Sequence, residues 1–141
     1  TDTKQLELNG LLKQYLQDYE EVYDYRNIEV TIDEQDIFNV TINESLAVAL
    51  LTNLLKNAFV HNIDGGHIRI TVTKNSITFR NSGVKNPLDK EHIFERFYQG
   101  TKKEGSTGLG LAIADSICRL QHLSIRYYFE QKEHCFEISR Q

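Results

Sequence analysis

Two asparagines four residues apart, Asn53 and Asn57, interrupt an apolar helical pattern, and His61 falls on the same face one turn further on. Asparagine costs a helix about 0.5 kcal/mol or more against alanine, and burying its amide unpaired costs about 1–3 kcal/mol. Something should compensate. A carboxamide oxygen is a hard donor suited to Mg2+, an ion that keeps several waters and usually shares its coordination with nucleotide phosphates. The alternative places both asparagines on the solvent face of the helix.

A second chemical signal lies nearer the C-terminus, where Gly105, Gly108 and Gly110 run into the apolar helical stretch that begins Leu111, Ala112, Ile113. Glycines let the backbone approach a ligand closely, and the free N–H groups opening a helix carry partial positive charge, so phosphate is the expected guest. The spacing is not that of a P-loop, because Leu111 stands where lysine is required. Nor is it a dinucleotide fingerprint, which needs a third glycine at Ile113 and an early position in the chain. A glycine-rich turn capping an ordinary core helix would satisfy the same pattern. Two weaker signals stand between these segments. At Asn81-Ser-Gly83 a polar side chain and a glycine end a strand, so an amide could read an adenine edge while Gly83 lets the backbone approach the ring; the same triplet is also a common turn. Phe94, Phe97 and Tyr98 are expected in the core, with the added task of anchoring a loop.

The elements needed to position these residues are legible in the periodicity. Apolar residues from Leu8 to Tyr19 recur at helical steps, and residues 28–32 and 37–42 alternate as strands. Asn43 is a plausible N-cap for a helix over 44–61, ended by Asn62 and the Asp64-Gly65-Gly66 turn. A hairpin over 67–73 and 76–80, a short helical piece at 90–98, a helix at 109–121 and strands at 124–130 and 134–139 follow. Mixed helices and adjacent strand pairs predict an α+β fold: a two-layer α/β sandwich with one mixed, mostly antiparallel sheet and helices packed on one face.

At 141 residues the chain makes one domain with a real core. Its 20 acidic and 16 basic residues, a net charge of −4, argue against nucleic acid as a partner. No apolar run reaches the roughly 18–20 residues of a membrane span, so a soluble segment without direct membrane contact is expected. Cys118 and Cys135 lack metal-site spacing and fit reduced, structural thiols in a cytoplasmic compartment. The abrupt start suggests a piece of something longer.

The order of the motifs adds what no single one carries. Asn-x-x-x-Asn-Ala on a helix, Asn-x-Gly after a strand, Phe-x-x-Phe-Tyr, then Gly-x-x-Gly-x-Gly at a helix start resembles the ATP-binding catalytic domain of sensor histidine kinases, with its N box, first glycine box, F box and second glycine box. The resemblance runs from roughly Leu11 to the C-terminus. It implies the Bergerat fold, with Mg-ATP held between helices and sheet under a lid at 99–105. It further implies that Asn57 coordinates Mg2+, that Asn53 and His61 line the phosphate side, and that Asn81 with Gly83 reads adenine. Phe97 would sit by the nucleotide, and Gly105, Thr107 and the backbone of Gly108, Leu109 and Gly110 would hold the phosphates. Asn81 replaces the aspartate usual in that family, Lys85 replaces a glycine, and Val60 and Gln99 stand where cations are frequent.

Related ATPases of that fold carry a water-activating glutamate four residues before the Mg2+ asparagine. Asn53 occupies that place and cannot act as a base, so transfer to an external nucleophile fits better than hydrolysis. No histidine of this chain sits in the family's acceptor context. The expected function is therefore a protein histidine kinase catalytic domain, inactive in autophosphorylation by itself. It would phosphorylate a histidine on a separate dimerisation domain of a longer parent protein, with a response regulator downstream and room for an inner-membrane anchor in the parent. The alternative is a catalytically weak nucleotide-binding interaction module; an anti-sigma-type serine kinase shares the fold.

Overall fold

The computed structural model describes residues 2–98 and 108–141. Two sheets form where one was expected. The larger, in the order β2-β4-β5-β7-β6, comprises β2 (Glu29–Glu34), β4 (His67–Val72), β5 (Ser76–Asn81), β6 (Leu123–Glu130) and β7 (Glu133–Arg140). It is antiparallel except for the parallel β2–β4 pair. The smaller pairs β1 (Lys4–Glu7), an element the sequence does not announce, with β3 (Asn39–Ile42). The chain between β2 and β3 is turned out of the large sheet by buried Asn9, whose amide donates to Glu34 Oε2 at 2.9 Å and the Asp36 carbonyl at 3.0 Å and accepts from the Phe38 N–H at 3.0 Å.

Helices α1 (Leu8–Val22), α2 (Glu44–Val60) and α3 (Gly110–Leu120) cover one face of the large sheet. Asn43 caps α2 as expected, its Oδ1 accepting from the Leu46 N–H at 3.0 Å. The stripe Ala47, Leu50, Leu51, Leu54, Leu55, Ala58 and Phe59 is buried against Ile68, Ile70, Phe79, Phe136 and Ile138 of the sheet. Each fully buried leucine or phenylalanine contributes about 1.5–3 kcal/mol relative to exposure, so α2 is fixed in place by burial. The opposite sheet face is polar: Arg69 donates from Nε and Nη2 to both oxygens of buried Glu133, at 2.8 and 2.7 Å, and His67 Nε2 lies 2.7 Å from the same carboxylate. The Arg69 bonds hold that carboxyl below its ordinary range, with burial pulling the other way.

The segment 90–98 is a run of turns and not the expected helix. Asp89 opens it by accepting from the Ile93 N–H at 2.9 Å through its carbonyl, but the Phe97 N–H, which a helix would give to Ile93, goes to the Gly108 carbonyl at 2.7 Å. The aromatics divide accordingly. Phe94 packs edge-on to Phe136 with centroids 6.3 Å apart, whereas Phe97 is 66% exposed, outside the core where sequence reasoning put it.

Candidate functional site

Each motif belongs to a different element, and specific contacts close them into a ring. The face of α2 that carries Asn53, Asn57 and His61 is half-buried, neither core nor open solvent. Asn53 turns its Nδ2 back to the Ala49 carbonyl at 2.7 Å, leaving Oδ1 toward α3, where a Cβ placed on Gly110 would lie 3.1 Å from it. His61 ends the helix, and its carbonyl would lie 2.9 Å from a Cβ on Gly83. From Gly83 the chain runs through 84–96 to Phe97, whose bond to Gly108 leads back to Gly110 and so to Asn53. Two of these glycines are needed for the ring to close. At Gly83 a side chain would strike backbone; at Gly108, φ is +75° and a Cβ would stand 2.8 Å from Phe97 Cα.

Around this ring polar groups are left available. Asn81 is 2% exposed; its Nδ2 donates to the Ser82 carbonyl at 2.7 Å, and its Oδ1 is buried without a partner. Because a carbonyl only accepts, the amide cannot be turned around, and it is the acceptor that stays unpaired. An unsatisfied buried acceptor costs about 1–3 kcal/mol and so calls for a physical reason, of which a bound donor is one. The Asn57 amide bonds to no described residue. Among the described residues no side chain caps the N-terminus of α3, whose positive dipole end opens onto the ring. An acceptor for an amino group, a hard oxygen donor and a helix N-terminus are together a fitting set for a magnesium nucleotide. Gly105, Thr107 and the lid at 99–105 lie outside the described residues.

The α2 end of the ring is held by residues to which sequence reasoning gives no part in the site. Asn62, fully buried, donates to the Ala58 and His67 carbonyls at 3.1 and 3.0 Å and accepts from the Ile63 N–H at 2.8 Å and Ser82 Oγ at 2.6 Å, which ties α2 to both hairpin strands. Arg26 caps the same helix end, donating to the Phe59 and Asn62 carbonyls and pairing with Asp64. Nor does sequence reasoning give His134 more than an incidental place in a strand, although alternation puts it on the apolar face with Phe136 and Ile138, where a buried histidine must have partners. The exposed group Asp89, Glu91 and His92 lies apart from these roles: Asp89 caps its own turn, accepting from the Glu91 N–H at 3.0 Å and contacting His92 Nδ1 at 2.6 Å.

Residues 42–139 match the model of the histidine kinase-, DNA gyrase B- and HSP90-like ATPases. The chain belongs to that family. Among curated proteins it is 33% identical over 127 residues to the heme sensor protein HssS of Staphylococcus aureus strain Newman, covering 86% of this chain and 28% of that protein. It is 43% identical over 84 residues to the sensor histidine kinase RppB of a Synechocystis strain, covering 53% of this chain and 18% of RppB. The chain thus spans less than a third of the length of these relatives. Among solved structures, the nucleotide-free catalytic domain of the histidine kinase ThkA superimposes with a TM-score of 0.85 at 25% identity, covering 98% of this chain and 94% of that one. The mycobacterial sensor histidine kinase MprB shares the fold, with a TM-score of 0.83 at 18% identity over 99% of both chains. The chain is a catalytic domain of the sensor histidine kinase kind, with the two-layer sandwich expected of it.

Proposed function

We propose that this domain binds Mg-ATP within the ring and transfers the γ-phosphoryl group to a histidine on a separate dimerisation domain of a longer parent protein. The observation that carries the reading is the buried, unpaired Asn81 Oδ1 beside Gly83: adenine offers it an exocyclic N–H donor. Asn57 would supply an oxygen to Mg2+, which when bound offsets charge on the phosphates. The N-terminus of α3 would receive the phosphates, together with Thr107 and the backbone from Gly105 to Gly110, while Asn53 and His61 would line that side and Phe97 would flank the nucleotide.

In the transfer, the acceptor imidazole nitrogen forms a bond to the γ-phosphorus, the bond to the β–γ bridging oxygen breaks, and ADP leaves. This chain's part is positioning and electrostatic stabilisation. Asn53 has no basic atom with which to activate water, so hydrolysis should be slow and the isolated domain silent in autophosphorylation. The parent would act in two-component signalling, from the cytoplasm and with an anchor in the membrane, passing its phosphoryl group to a response regulator. Support for such a partner comes from ThkA, whose structure in complex with the response regulator TrrA has this fold.

Mixing the domain with the acceptor domain of its parent and γ-labelled ATP should yield acid-labile, base-stable phosphohistidine. ATP bound but no label, with an acceptor that a related kinase can phosphorylate, would defeat the transfer reading and leave a nucleotide-binding interaction module.

A further inference from the structure

His134 and Asn81 are cross-strand partners between β7 and β5, on the sheet face that the helices cover. A histidine 3% exposed among apolar neighbours has to satisfy both ring nitrogens. Its Nε2 lies 2.7 Å from the Val84 carbonyl and its Nδ1 lies 2.7 Å from the Tyr127 hydroxyl. The carbonyl can only accept, so Nε2 carries the proton; Nδ1 is then the acceptor and Tyr127 donates to it. The Tyr127 oxygen in turn accepts from the Leu88 N–H at 2.9 Å. The Tyr127 and His134 rings stack with centroids 5.9 Å apart at 22°, and Tyr127 leans on Phe136 at 5.0 Å.

Two consequences follow from this directionality. First, the relay from Leu88 through Tyr127 and His134 to Val84 clamps both ends of 84–88, the stretch that leaves Gly83 and carries Lys85 where the family's first glycine box has glycine. Second, His134 has no N–H left to give. Its proton is spent on Val84, so the imidazole beside Asn81 does not quench that residue's free acceptor. We propose that His134 and Tyr127 are positioning residues for the base of the nucleotide: they fix the 84–88 segment and keep Asn81 Oδ1 open for the exocyclic amino group of adenine. This rests on the ATP-binding reading above and assigns a base-recognition role to two residues outside the family's boxes.

The test is calorimetric titration of the 141-residue chain with Mg-ATP, Mg-GTP and magnesium tripolyphosphate, which has no base. Tyr127→Phe removes a single oxygen and keeps the ring packing; His134→Leu breaks the relay from its other end. Both should weaken ATP binding roughly ten-fold, the scale of one lost hydrogen bond, change tripolyphosphate binding less than about two-fold, and narrow the preference for ATP over GTP. Equal losses for ATP and tripolyphosphate would make the relay a scaffold only, and unchanged ATP affinity in Tyr127→Phe would remove it from recognition; either overturns the proposal. No ATP binding by the unaltered chain would sink the ATP reading itself, and this inference with it.

Discussion

Replacing Asn81 by leucine should move the stability of the free domain and its response to nucleotide in opposite directions. The side chains are of similar size, and position 81 is 2% exposed on an apolar sheet face. The substitution removes one bond, Nδ2 to the Ser82 carbonyl, worth about 0.5–1.5 kcal/mol net, and also removes the unpaired Oδ1, whose burial costs about 1–3 kcal/mol. The balance favours Asn81→Leu by about 1 kcal/mol, or roughly 3 °C in Tm for a domain of this length. Nucleotide reverses the order. At ten times Kd, Mg-ATP should stabilise the unaltered chain by about 1.4 kcal/mol, roughly 4 °C, and the variant, with affinity about ten-fold weaker for one lost bond, by only about 0.4 kcal/mol, roughly 1 °C. Differential scanning calorimetry at several Mg-ATP concentrations reads both effects. A variant melting well below the unaltered chain without nucleotide would mean that Oδ1 has a partner after all, and one that kept its ATP shift would remove Asn81 from the site; either result refutes the reasoning.

Three further outcomes are expected. Asn57→Ala should melt about 1–2 °C above the unaltered chain, since its amide holds no described group and alanine is favoured in a helix by about 0.5 kcal/mol, while losing most of the Mg2+-dependent part of the ATP shift; a retained shift places the ion elsewhere. Burial pushes the Cys118 thiol up to about 12 and the Cys135 thiol up to about 11, so neither should react with Ellman's reagent at pH 8 until denaturant is added, and fast native labelling would contradict the packing. Because Glu133 is held below the ordinary glutamate value of roughly 4.3, its contribution is present above that pH and lost as pH falls through the lower folded value. The Tm of the unaltered chain should therefore drop more steeply below about pH 4.5 than that of Glu133→Gln; parallel curves from pH 3 to 7 would show that the Arg69 and His67 contacts add nothing.

Residue spacing alone carried most of the local elements and the family. Helical spacing over 44–61, the Asn43 cap and the alternation of β4 through β7 are properties of neighbouring residues, and backbone geometry converts them directly into periodic patterns. The ordered motifs point to the candidate site in the same way, because glycines and amides are costly in helices and strands unless something uses them. The pairings between distant residues came only with the folded chain. The parallel register of β2 on β4, the departure of β3 into a second sheet and the gift of the Phe97 N–H to Gly108, which turned an expected helix into turns, all depend on which partner arrives. So do the unpaired Asn81 acceptor and the direction of the His134 relay. Whether a buried polar atom is satisfied is a property of the assembled neighbourhood, and no pattern along the chain encodes it.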